Sequence, residues 1–367
     1  MNGIAKTDKH DEVSRYYGKT LQHSDDLKTN ACCTIQAYPD YIQTPLSMIH
    51  EEVSAKYYGC GLTLPFELEN CRILDLGSGS GRDCFIASYL TGPEGYVVGI
   101  DMTDEQLEVA NRHIDYQMNR FGYDHPNVEF RKGLIEKLDE AGLEDESFDI
   151  VISNCVINLC PDKEAALREI YRVLKPGGEF YFSDVYADRR IPPNLSDDPV
   201  LYGECLSGAL YEHDFIRLAR RQGFNDPREV TRDPIRIENN HIQDRVGHIR
   251  FGSITYRLFK LSELEDACEN YGQAVRYNGT LLYSPDIFEL DARNRFEKGR
   301  MYQVCGNTFN MLVFCLRWNW TKPSFKLDST NGGQNAKEKT LHGRTEGRHC
   351  YESPGRPGAG FRYLCKA

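Results

Sequence analysis

The stretch Ile73-Leu74-Asp75-Leu76-Gly77-Ser78-Gly79-Ser80-Gly81-Arg82-Asp83 constrains this chain more than any other. A short apolar run closes on three glycines at alternate positions, and an apolar segment of helical character follows from Cys84 to Leu90. The order reads as strand, tight turn, helix. Glycine lacks a Cβ, so its backbone reaches positive φ and approaches a ligand closely, while the first turn of the next helix presents free N–H groups. Such a turn suits an anionic or sugar-like group. A dinucleotide fingerprint would place a small residue three positions after Gly79, where Arg82 stands instead, so the spacing is G-x-G-x-G.

Other strands fall into register with it. Tyr96 to Asp101 is a second apolar run, ending on an acid about twenty residues past the glycines, where a ribose-binding carboxylate belongs. Phe148 to Asn154 and Glu179 to Val185 are two more. Between them Leu167, Ile170, Tyr171 and Leu174 recur at helical spacing, with Asp162 as N-cap and a stop at Pro176-Gly177-Gly178. Alternating strands and helices predict an α/β architecture with a parallel, doubly wound sheet. Ligands bind such sheets beyond the carboxyl ends of the strands, which aims Cys155 at the bound molecule.

The G-x-G-x-G turn, with Asp75 two residues ahead of it, resembles motif I of the class I S-adenosylmethionine methyltransferases. That resemblance implies a Rossmann-like sheet and S-adenosylmethionine as cofactor. It places Asp75, Gly77, Ser78, Gly79 and Gly81 around the cofactor, Asp101 on the ribose, and Met102, Ile135, Glu136 and Asn154 as further contacts. Glu136 would reach the adenine amino group; a solvated surface carboxylate is the alternative.

The chain has 367 residues, enough for two domains. A net charge of −11 argues against nucleic acid as the main partner. No signal peptide and no run of ~20 apolar residues is found, so a cytosolic location is expected. In that reducing compartment the thirteen cysteines should be mostly free thiols, acting as core filler or as chemistry.

Asp11 to Asn30 is expected to form a helix over the catalytic domain, followed by the thiol-bearing loop Ala31-Cys32-Cys33-Thr34. Thr44-Pro45 should begin a helix whose stripe Leu46, Ile49, Val53 and Tyr57 runs to Gly59. Cys60, between Gly59 and Gly61, reads as a thiol on a mobile segment or as an incidental cysteine at a C-cap. Asp104 to Gln117 should be one helix. Past Asp184 the pattern predicts a smaller, mostly β substrate domain, with strands between Ile235 and Lys260 and a hairpin turn at Asn278-Gly279. Residues 301–367 hold ten Lys or Arg against four Asp or Glu, a net of +6 against −17 for the rest. No periodicity follows Lys322, which predicts disorder. The expected division is 1–70, a helical thiol-bearing segment; 71–185, the cofactor-binding domain; 186–297, the substrate domain; and 298–367, a disordered tail.

Arg82-Asp83-Cys84, Ser153-Asn154-Cys155-Val156-Ile157-Asn158-Leu159 and Gly203-Glu204-Cys205-Leu206 together resemble the arsenite methyltransferases of animals and microbes. Tyr57-Tyr58-Gly59-Cys60-Gly61 and Thr29-Asn30-Ala31-Cys32 resemble the same family, over roughly Glu12 to Lys260 and more thinly to Phe296. The resemblance implies methyl transfer to trivalent arsenic. Cys155 and Cys205 would hold the arsenic, with Cys60 as a further arsenic ligand, Cys60 and Cys32 would serve redox and substrate delivery, and a small thiol or thioredoxin-type protein would be the reductant. A monomer is expected. The chemistry agrees, since arsenic(III) is soft and selects thiolates, and its lone pair attacks a sulfonium methyl without a general base. Taken singly, each of these cysteines reads more readily as a buried small hydrophobe, and Cys71, Cys84, Cys160 and Cys268 keep that reading. Two other functions fit the residues: a methyltransferase for a small organic acceptor, and a thiol-rich metalloid-binding protein without turnover.

Overall fold

The computed structural model describes residues 9–20, 38–196, 198–237 and 239–315, and the backbone of 325–329, 350–351 and 364–365. Its centre is an eight-stranded sheet. The strands are β1 (Arg72–Leu76), β2 (Tyr96–Asp101), β3 (Val128–Lys132), β4 (Phe148–Asn154), β5 (Leu174–Ala187), β6 (Leu210–Tyr211), β7 (Arg228–Ile235) and β8 (Phe251–Phe259). They run in the order β3-β2-β1-β4-β5-β8-β7, with β6 attached to β5. The first five are parallel, while β8 is antiparallel to β5 and β7 antiparallel to β8.

Strands covered on both faces are apolar nearly throughout, and all seven residues of β4 are buried. The period of two sorts side chains between layers. Ile73, Ile150 and Ile152 meet Phe85, Val109 and Met118 on one face, while Leu74, Leu76 and Val151 meet Leu167, Ile170 and Phe215 on the other. The helix Lys163–Val173 starts as its sequence predicts, with Asp162 accepting from Ala165 N–H at 2.9 Å.

Several expected boundaries move. The helix predicted from Thr44 is two short ones, Asp40–Leu46 and Glu51–Ala55. Pro45 lies inside the first, and the second restarts where His50 Nδ1 accepts from Glu52 N–H. Asp104 to Gln117 likewise divides at His113, whose ring stacks on His50 and bonds Glu52. The predicted strands from Ile235 to Lys260 include a helix, Asn240–Val246, capped by Asn239.

The largest correction concerns the domain boundary at Tyr186. β5 continues to Ala187, and β8, drawn from the expected second domain, pairs with it along nine residues from Glu179↔Phe259 to Ala187↔Phe251. β7 and β8 therefore extend the main sheet. A separate small β unit begins only at β9 (Gln273–Tyr277), with β10 (Ile287–Asp291), β11 (Asn294–Glu297) and β12 (Met301–Val304). Gly279 has the expected positive φ of 72°, but β9 pairs with β12 rather than with a strand just past the turn. The hairpin is β10-β11.

The tail is ordered past 298. β12 and the helix Gly306–Phe314 bury Val304, Met311, Leu312 and Cys315 against Phe259, Leu261 and Phe288. Apolar area removed from water fixes this segment, and a cut at Lys298 would expose that core. β13 (Phe325–Ser329) pairs with β9, and Cys350–Tyr351 with Leu364–Cys365. Among the described residues no helix is long and apolar enough to cross a membrane.

One buried ion pair joins β5, β8 and the small unit. Arg257 donates to both oxygens of Glu179, at 2.7 and 3.2 Å, and to Leu290 O at 2.6 Å. Arg257→Met would leave Glu179 as an uncompensated buried charge, so urea denaturation should show a loss of about 3–5 kcal/mol. A loss under 1 kcal/mol would mean that the pair does not hold these layers together.

Candidate active site

The glycine turn closes as the motif requires. Gly77 and Gly79 have φ of 68° and 54°, and the N–H groups of Gly77 and Ser78 both donate to Ile100 O, at 2.7 and 2.9 Å. A Cβ on Gly77 would lie 2.4 Å from Val156, so only glycine fits there. Asp101 at the end of β2 accepts from Gly79 N–H at 2.9 Å and Thr103 N–H at 2.8 Å, which fixes its carboxylate beside the turn. Asp75 is buried with Cys84 Sγ donating to it at 3.1 Å; burial, and then the neighbouring Asp83, hold its pKa well above the usual carboxylate range.

These residues border one cleft of about 960 Å³, open solvent at its mouth included. Asp75, Gly77, Ser78, Gly79, Asp101, Met102, Ile135, Glu136, Asn154 and Cys155 all line it. Gly81 does not; it begins the next helix with φ 90°, and a Cβ there would strike the Phe130 ring at 2.6 Å. The N-terminal helix Lys9–Arg15 contributes His10 and Val13 to the wall. His10 Nε2 lies 3.1 Å from Glu136 Oε1, so one oxygen of the expected adenine ligand already has a partner.

Asn154, which lines the cleft, also bonds the neighbouring loop. Its Oδ1 accepts from Cys60 N–H at 2.9 Å, while Nδ2 donates to Tyr57 Oη at 2.7 Å and Gly61 O at 2.8 Å. The carboxamide is thus a clamp on the loop that carries Cys60. That loop is also close-packed rather than loose, since a Cβ on Gly59 would meet Tyr57 Oη at 2.1 Å and one on Gly61 would meet Ser183 Oγ at 2.5 Å. The glycines allow close approach.

The cysteines converge. Cys60 and Cys155 are joined by a disulfide. Cys205 is buried, and its Sγ donates to Cys155 O at 3.3 Å. The ligand atoms of Cys155, Cys205 and Asp184 all fall within 4.8 Å of one another. Both Cys155 and Cys205 have left-handed backbone, φ 58° and 61°, a conformation that costs a residue with a Cβ about 1–3 kcal/mol and collects at functional sites. Cys32 lies outside the described residues.

Four contributors were not legible as site residues. Asp184, at the carboxyl end of β5, accepts from Asn158 N and Nδ2 at 3.0 and 2.6 Å and from Val185 N at 2.8 Å. The strand-end rule that singled out Cys155 applies equally to it. Arg82 lays its guanidinium 3.0 Å from the Tyr57 ring centre and bonds Asp83 at 2.9 and 3.0 Å. Tyr16 and Tyr17 donate to Glu204 Oε1 and Gly203 O, both at 2.8 Å, tying the N-terminal segment to the turn of Cys205. Nothing local in a tyrosine pair predicts a contact so distant in sequence.

Residues 67–223 match the model of a methyltransferase domain family. An arsenite methyltransferase of Aquipseudomonas alcaligenes is 57% identical over 303 residues, covering 83% of this chain and 87% of that protein. The chain belongs to the arsenite methyltransferase family. A Homo sapiens member is 47% identical over 315 residues, covering 85% of this chain and 83% of its own. The crystal structure of an arsenic(III) S-adenosylmethionine methyltransferase from Chlamydomonas reinhardtii superposes with a TM-score of 0.76 at 48% identity. It covers 82% of this chain and all of that one.

Two measurements check the geometry of this arsenite methyltransferase site. Burial pushes Asp184 up from 3.8 to about 7, against the pull of its N–H donors, so the folded chain binds that proton more tightly than the unfolded chain. The resulting stabilisation is complete below 3.8 and is lost as the pH rises through about 7. Denaturant titrations should therefore show a stability decline between pH 4 and 7.5 that is smaller in Asp184→Asn; equal declines would remove Asp184 as the source. Asn154→Ala should speed amide hydrogen exchange in residues 57–61 by roughly tenfold, the effect of losing about 1.4 kcal/mol of hydrogen bonding. Unchanged exchange there would contradict the clamp.

Proposed function

We propose that this chain transfers methyl groups from S-adenosylmethionine to trivalent arsenic held by Cys155 and Cys205, with Cys60 returning electrons. The observation that carries this reading is the meeting of Cys155 Sγ, Cys205 Sγ and Asp184 within 4.8 Å, with Cys155 in the wall of the cleft built by the glycine turn.

The cleft fits the cofactor. Among the described residues Ser78 Oγ is a buried hydroxyl with no partner, beside a turn in which Gly77 admits no side chain, as a backbone cradle for a charged, sugar-bearing molecule requires. When bound, S-adenosylmethionine supplies a methyl group on an electrophilic sulfonium. Asp101, fixed by two backbone N–H groups, would hold the ribose hydroxyls with its remaining lone pairs, and the Gly79 turn would hold the amino acid end.

Arsenite is the substrate. The thiols of Cys155 and Cys205 each displace one hydroxide as water, leaving arsenic bound to two sulfurs with its lone pair toward the cleft. Burial to 3% and 0% exposure keeps water from competing for those bonds. Holding the lone pair in line makes the transfer a matter of proximity, so no base is needed. Methyl transfer raises arsenic formally to the pentavalent state. The Cys60 thiolate attacks Cys155 Sγ, the Cys155–arsenic bond breaks with its electron pair left on arsenic, and formation of the Cys60–Cys155 disulfide thus returns arsenic, still held by Cys205, to the trivalent state for a second round. The product series is monomethylated, then dimethylated arsenical.

The disulfide is then reopened by a small thiol or a thioredoxin-type protein, with Cys32 as the relay, in the cytosol, on a monomeric enzyme. The main sheet would carry both the cofactor and Cys155, and the segment past Ala187 would add Cys205 to the arsenic site.

Cys155→Ser and Cys205→Ser should each weaken arsenite binding by roughly two orders of magnitude, the avidity lost when a two-point attachment becomes one. S-adenosylmethionine affinity should stay within about twofold. Calorimetry with and without the cofactor, followed by mass analysis of methylated products, decides the matter. Retained arsenite affinity in both variants would sink the assignment; tight binding without methylated product would leave a metalloid sink, and no binding would leave an organic acceptor.

A further inference from the structure

A second cysteine pair lies in the small β unit, away from the cleft. Cys268, between β8 and β9, is bonded to Cys305, the residue that caps the helix Gly306–Phe314. Its setting is opposite to that of Cys60–Cys155. Cys268 is exposed and Cys305 half-buried, whereas the active-site pair is buried throughout.

The two sulfurs differ in what surrounds them. Cys305 Sγ accepts from Thr308 N–H at 3.5 Å, lies 3.3 Å from Thr308 Oγ1, and has Arg228 Nη2 at 3.9 Å. Asp226 and Asp291 hold that guanidinium in place through contacts of 2.6 and 3.0 Å and share its charge. A helix N-terminus and a guanidinium both stabilise a thiolate and lower its pKa. Among the described residues Cys268 Sγ has its disulfide to Cys305 and no hydrogen-bond donor.

We propose that Cys268–Cys305 is a thiol-exchange site that accepts a small monothiol of the glutathione class at Cys268. The external thiolate attacks the exposed Cys268 Sγ. The Sγ–Sγ bond breaks and its electron pair leaves on Cys305 Sγ, where Thr308 N–H and Arg228 receive the charge. The product is a mixed disulfide on Cys268 and a thiolate on Cys305. A second monothiol thiolate then attacks the external sulfur of the mixed disulfide, releasing the oxidised monothiol dimer and leaving Cys268 as a thiolate. Two monothiols are oxidised and one protein disulfide is reduced. Exposure and leaving-group stability select the same sulfur, because exchange is faster when the departing thiol has the lower pKa.

The unit survives the opening. Gly306 N–H donates to Glu269 O at 2.8 Å, and Asn307 bonds Glu265 N and O at 2.8 Å each, so the helix stays docked without the covalent tie. Exchange at this site is therefore reversible, and it does not depend on the arsenic reading.

The full oxidised chain, incubated with glutathione, alkylated at intervals and peptide-mapped by mass, tests the proposal. Early samples should carry glutathione on Cys268 and the alkyl group on Cys305, with Cys60–Cys155 still closed. Arg228→Met should slow adduct formation by roughly threefold, as expected when the leaving thiol's pKa rises by about one unit, with cofactor affinity unchanged. Cys268→Ser should leave a Cys305 thiol whose alkylation rate titrates below the ordinary value of about 8.5. An adduct on Cys305, earlier opening of Cys60–Cys155, no adduct, or an ordinary alkylation profile would each overturn the assignment.

Discussion

Two cysteines in left-handed backbone hold this site together. Cys155 and Cys205 leave their strand and helix through turns that a residue with a Cβ avoids, and the surroundings must fix them there. Cys155 N–H donates to Ser183 O at 2.9 Å, and Cys205 N–H to Tyr202 O at 3.0 Å. Tyr202 Oη in turn reaches Leu159 O at 2.9 Å, which binds the turn of Cys205 to the segment after Cys155. The strain is therefore distributed over hydrogen bonds between the two turns, and sulfur atoms fifty residues apart in sequence are held as neighbours.

The added antiparallel strand β8 completes the setting from the far side. Ser253 on β8 donates to Cys60 O at 2.6 Å, and Ser183 on β5 lies 3.6 Å from Cys60 Sγ. With Asn154 at the end of β4, three adjacent strands hold one loop. A parallel sheet ending at β5 would leave Cys60 with one side unsupported. The same strand carries Arg257, whose pairing with Glu179 and Leu290 fastens the small β unit to the core. The supports of the thiol loop and of the C-terminal unit are thus the two ends of a single strand.

Much of the cofactor side was legible in the residues. Gly77, Gly79 and Asp101 declare themselves because a turn needing positive φ and a carboxylate at a strand end are local requirements with few chemical solutions. Asp162 is legible for the same reason, as the cap of an apolar stripe. Gly81 lies outside the cleft lining, and because alternate glycines look alike in sequence, only packing shows that a Cβ on the third would strike Phe130. The position of Asn154 at a strand end places it in the cleft wall, but only the folded chain shows that its carboxamide also bonds the loop of Cys60. The flanks of Cys60 show the same ambiguity: glycine permits motion and close approach equally, and the contacts with Tyr57 and Ser183 decide between them.

The sequence by itself determined the sheet's parallel half, the place of the nucleotide turn and the presence of thiols at one strand end, because periodicity, capping and turn chemistry act over a few residues. Only the tertiary structure decided that β8 joins β5, that Asp184 faces two cysteines, and that residues 301–315 are core rather than tail. Those outcomes depend on which distant surfaces bury each other, and burial is a property of the assembled chain.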